Sequence, residues 1–177
     1  MGVFLVLIVI IFSLILMLGS MGWLFILTGS DKFLFALLNT SMPIILLTIA
    51  NSDGVHIVTK FFKELNKTKN TKKSLNITLM SLQLPIFLTS ITTIGAFLTM
   101  VFSPLEPLIG YGICISIGIF FAWLLSSITL PALINMYDWN TESRLLGKEG
   151  PFEIFVNSSS KIIFKNPKLI LSVGVLI

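Results

Sequence analysis

A single carboxylate stands where the sequence carries almost no charge. Asp53 lies in a long apolar stretch, seven residues before Lys60, the first lysine that follows it. An ionised acid within a bilayer is costly, so such residues face a bundle interior or a water-filled path and mark routes for ions or protons. His56 follows three residues later, on nearly the same helical face, and Thr48, Asn51 and Ser52 add polar groups nearby. An acid and an imidazole one turn apart can take up, hold and pass on a proton. Thr89, Thr92 and Thr93 bring hydroxyls from a second apolar stretch, spaced to share a face with Ala96. Asp53 and His56 are therefore the candidate proton relay, with Ser52, Thr89, Thr92 and Thr93 as a supporting polar face. The plainer counterparts are an Asp53 solvated by nearby headgroups, a His56 at the interface, and threonines that serve close helix packing.

Other chemistry finds no residues. There is no phosphate-binding glycine loop, no Cys/His cluster at metal-ligand spacing and no nucleophile elbow, so neither enzyme activity, nor a cofactor, nor a metal is expected. The only cysteine, Cys114, sits in an apolar run and rules out an intrachain disulfide. Four Asn-x-Ser/Thr sequons, at Asn39, Asn66, Asn76 and Asn157, fall in spans, at span boundaries or in segments expected to be cytoplasmic, and read as coincidence.

The elements that must position Asp53 follow from composition. With 55% hydrophobic and 11% charged residues, and a mean hydropathy of +0.98, the chain lies far outside soluble-domain usage. Fifteen Phe and three Trp could not be hidden from water by so few polar residues, whereas lipid solvates them. The fold class expected is all-α, a polytopic transmembrane helix bundle. At ~1.5 Å per residue a ~30 Å hydrocarbon core needs ~20 residues. Four stretches qualify, at about 3–28, 33–62, 80–104 and 107–137. Residues 138–166 read as a cytoplasmic segment, with an interfacial amphipathic helix at Phe152–Lys165, and 167–177 as the start of a truncated fifth span. A secretory signal peptide is a poor reading of the first stretch, which is too long and lacks a basic start and a cleavage site.

Basic residues give the orientation. Six lysines from Lys60 to Lys73 follow the second span, and Arg144, Lys148, Lys161, Lys165 and Lys168 follow the fourth; only Lys32, of twelve basic residues, lies on the other side. The positive-inside rule makes Lys60–Lys73 and Arg144–Lys168 cytoplasmic. The net charge of +4 sits beside apolar segments without interleaved aromatics, which suits a membrane surface and not nucleic acid.

The order of these motifs resembles the RND superfamily, specifically its mycobacterial membrane protein large type and the related sterol-sensing-domain exporters. ANSDGVHI at Ala50–Ile57 is similar to the family's fourth-helix signature, which places Asp53 and His56 on the proton-relay positions. TSITTIGAF at Thr89–Phe97 resembles the fifth helix, and LIGYGICISIGI with SSITLPALI, ending at Ile134, the sixth. LGSMGWL at Leu18–Leu24 is similar to the third helix, and NPKLIL at Asn166–Leu171 to the start of the seventh. One departure is Gly54, where some members have Tyr.

The resemblance implies one partial half of an RND-type membrane domain. The parent would be a proton-driven secondary transporter exporting hydrophobic or amphiphilic compounds, lipid or drug-like, from a bacterial inner membrane. The implied partners are membrane lipids, a second half and porter domains beyond this sequence, and further copies in a homo-oligomer. Rival readings are a non-transporting sterol- or lipid-sensing module and a protein-export auxiliary of the same superfamily. An intramembrane aspartyl protease fails because Tyr137–Asp138 has no matching Gly-x-Gly-Asp.

Overall fold

The computed structural model describes residues 2–30, 33, 37–137 and 139. The sequence readings for Lys32, for 138–166 apart from Trp139, and for 167–177 lie outside the described residues.

Four long helices make up the described chain, and no strand occurs among the described residues. Helix α1 spans Gly2–Thr28 without a single charged residue and, at 1.5 Å per residue, is about 40 Å long. It stops at Gly29, whose φ of +61° suits a residue without a Cβ and whose N–H closes the last turn onto Phe25 O at 2.8 Å. A 3₁₀ turn at Leu37–Ser41 leads into α2, Met42–Thr68, with Pro43 in the first turn, where a missing N–H leaves no bond unmade.

Helices α2 and α3 meet in a two-residue corner. Lys69, at φ +52°, returns its N–H to Leu65 O, and the next residue, Asn70, already caps α3 (Thr71–Leu98) by accepting the Lys73 N–H at 3.0 Å. Hydroxyls of Thr68 and Ser74 bond across the corner at 2.5 Å. The apolar runs mark the parts suited to the hydrocarbon, and the helices run on past them through the lysine-rich stretch. A further 3₁₀ turn at Thr99–Phe102 and a short link lead to α4, Glu106–Met136, which opens with Pro107 in its first turn.

Helix α4 is the hub. It packs on α1, α2 and α3, while α1 and α3 do not touch each other. Half of the most apolar window of α4 is buried, against 11% for α3, so α3 turns most of its surface outward. Burial in lipid transfers little from water, so close approach and van der Waals contact must hold such a bundle. A Cβ at Gly54 would lie 2.6 Å from Val6 Cγ1, and one at Gly112 only 2.5 Å from the Phe97 carbonyl oxygen. These glycines set the spacing of α1 on α2 and of α3 on α4. The first also gives the departure at Gly54 a physical reason, because a tyrosine there could not coexist with Val6.

Polar and aromatic contacts fasten the ends. Tyr111 Oη and Ser41 Oγ lie 2.9 Å apart, tying the start of α2 to α4. At the opposite end Trp139 packs edge-on against Phe61, Phe62 and Tyr137, with its indole N–H donating to Ile134 O at 2.9 Å.

Candidate functional site

Two helical stripes face each other across a groove between α2 and α3. From α2 come Thr48, Ile49, Ser52, Asp53 and His56, and from α3 Leu82, Pro85, Ile86, Thr89, Ser90 and Thr93, around a volume of about 450 Å³. Both sets follow the three- and four-residue spacing of one helix face. Asp53, Ile86 and Ser90 are buried and form the floor; Ser52, His56, Pro85 and Thr89 are exposed and form the rim. Pro85 has no N–H for the Ser81 carbonyl, so α3 lacks one backbone bond beside the groove.

Two acids of α2 are buried, and their surroundings differ. Glu64, 7% exposed, is held by Lys67 at 3.1 Å and Lys60 at 3.5 Å. Asp53, 8% exposed, has no hydrogen bond or ion pair among the described residues, and His56 stands one turn away on the same helix. It lies about 10 Å along the helix from Lys60 at 1.5 Å per residue. Glu64 thus has its counter-charges built in, whereas Asp53 has an open groove.

Of the residues singled out from sequence, Asp53, His56, Ser52, Thr89 and Thr93 line this groove together. Thr92 does not; it is exposed, and its hydroxyl bonds the carbonyls of Leu88 and Thr89. Thr89 and Thr93 also donate to their own helix, to Ile86 O at 2.9 Å and Thr89 O at 2.7 Å. The residue that sequence reasoning missed is Ser90, 4% exposed, whose buried Oγ finds no hydrogen-bond partner among the described residues. Its signal was the spacing 82, 86, 89, 90, 93, which gathers one stripe and leaves Thr92 outside it. No group of three or more His, Cys, Asp or Glu able to hold a metal occurs among the described residues.

Four helices long and apolar enough to cross a membrane, packed as one bundle around α4, define a polytopic integral membrane protein. The chain belongs to the MMPL family, a family of membrane transporters, whose model matches residues 1–154. No curated protein and no solved structure matches it. The match includes all four described helices and both stripes of the groove, in keeping with a fragment of an RND-type membrane domain.

Proposed function

We propose that the chain is part of a proton-driven secondary transporter that exports hydrophobic or amphiphilic compounds, and that Asp53 is its proton relay with His56 as a supporting group. The observation that carries this reading is the contrast between the two buried acids of α2. An acid that only stabilises the fold is expected to bring its partners with it, as Glu64 does with two lysines. Asp53 has none among the described residues and opens onto an apolar groove lined by hydroxyls. An acid within a span and without a built-in counter-charge suits a group that couples protonation to helix movement. The substrate class rests on the family resemblance, with an apolar groove around Asp53 as its setting. The membrane is in our reading a bacterial inner membrane, with the corner carrying Lys60–Lys73 cytoplasmic.

Infrared difference spectra between acidic and alkaline media test the relay on the purified full-length protein. A carboxyl C=O band that appears on acidification in the wild type and is lost in Asp53→Asn is the expected result. Identical spectra for the two proteins would show that Asp53 does not exchange a proton. A passive lipid-sensing module would then be the better reading.

A further inference from the structure

Serines in membrane helices ordinarily return their hydroxyl proton to a carbonyl three or four residues back. Five among the described residues do so: Ser13 to Ile10, Ser20 to Met17, Ser74 to Asn70, Ser81 to Thr78 and Ser116 to Gly112, all at 2.7–3.0 Å. Ser90 does not. It is 4% exposed, its Oγ is buried and unpartnered among the described residues, and it shares the groove floor with Asp53 from the facing helix. A buried polar atom without a partner is costly, and a native structure keeps one where function uses it. Ser126 shares the deficit but does not line this groove. Thr89 and Thr93, beside Ser90, have committed their protons to backbone carbonyls. Ser90 is therefore the buried hydroxyl of the groove left able both to donate and to accept.

We propose that Ser90 is a positioning residue for proton transfer at Asp53, its hydroxyl holding the water through which the carboxyl is protonated and deprotonated. This rests on the reading of Asp53 as the relay. The groove, at about 450 Å³, has room for several waters of ~30 Å³ each. With Asp53 ionised, the Ser90 O–H donates to a water whose own O–H points at the carboxylate. When a proton arrives along that water, it passes to the carboxylate oxygen, and the water is left as it began. On release the carboxyl O–H gives its proton back to the water, which passes it on, with Ser90 Oγ as acceptor. No bond to Ser90 is made or broken.

Few other groups can contribute. On α2 the titratable neighbour is His56, with Lys60 a turn further on; α1 carries no titratable residue, and α3 none from Ser74 onward. The interior of α4 offers Tyr111 and Cys114, neither of which lines the groove.

The test uses the full-length protein in vesicles and follows transport against pH for wild type, Ser90→Ala, Ser90→Thr, Asp53→Asn and Thr92→Val. Ser90→Ala differs by one oxygen and leaves the packing intact. It should lower the maximal rate by up to about tenfold, the worth of one neutral hydrogen bond, with KM unchanged and the pH profile displaced. Ser90→Thr, which restores a hydroxyl, should recover rate and profile at least in part, and Thr92→Val should match the wild type. A wild-type profile in Ser90→Ala, with Asp53→Asn inactive, would overturn the role of Ser90 and leave that of Asp53 standing. Normal transport by Asp53→Asn would remove the reading on which the inference rests. A rate loss in Ser90→Ala without displacement of the profile would mean a purely structural serine and would also overturn it.

Discussion

At the scale of single residues, hydrogen bonding sorts groups that composition leaves alike. Three threonines in a row of five residues read as one polar face, yet each donates its proton to its own helix and only Thr89 and Thr93 reach the groove. Thr93→Val, nearly isosteric, should therefore cost much less transport than the loss of Asp53, within about tenfold of wild type, the worth of one neutral hydrogen bond. His56 is exposed at the rim, three residues from Asp53 on the same helix, and both line the groove. His56→Gln should displace the pH profile of transport and keep most of its maximum. A profile identical to wild type would show that the imidazole has no part in the relay. Asp53 stands out as a candidate from sequence because an acid in an apolar run is costly and rare. Ser90 does not, because a hydroxyl in such a run most often packs against a neighbouring helix, and only the facing stripe reveals that it has no partner among the described residues.

At the scale of elements, the apolar runs mark four helices, and α2 and α3 continue beyond their runs to meet at the corner. The stretch from Lys60 to Lys73 reads as a basic loop by charge, yet a left-handed Lys69 and the Asn70 cap turn the chain within two residues. Capping residues are visible in sequence only when a helix start is already suspected, and lysines argue against one here. How the helices approach each other was also out of reach of periodicity, since α1 and α4 are apolar nearly all round. Glycine contacts supply the answer, and they can be checked. Gly112→Ala would drive a Cβ into the backbone carbonyl of Phe97, which cannot rotate away as a side chain can. It should destabilise the bundle by about 1–3 kcal/mol, as overpacking does. Gly95→Ala, where nothing lies within 4 Å, should be neutral by comparison. Unfolding of both variants in detergent, followed by circular dichroism, measures the difference, and equal stability would mean that α3 and α4 are not set by this contact.

At the scale of the whole molecule, the chain is a family member whose four described helices leave one acid without a counter-charge and one helix, α3, mostly uncovered. Its proposed orientation rests on the lysines of the α2–α3 corner. A cysteine placed at Thr71 should resist an impermeant thiol reagent in intact cells, while one at Ser30 should react; the native Cys114, fully buried, adds little background. The reverse pattern would invert the bundle and put the groove's rim at the wrong depth for the proposed relay. The central claim is that protonation of Asp53 couples the proton gradient to export. The most direct measurement is substrate flux driven by an imposed pH gradient in vesicles holding the full-length protein, with wild type and Asp53→Asn at matched protein levels. Asn keeps the size and the hydrogen-bonding capacity of the side chain but cannot exchange a proton at these pH values. The Asn variant should insert normally and show no gradient-driven flux, and flux equal to wild type would contradict the assignment of Asp53 as the coupling site.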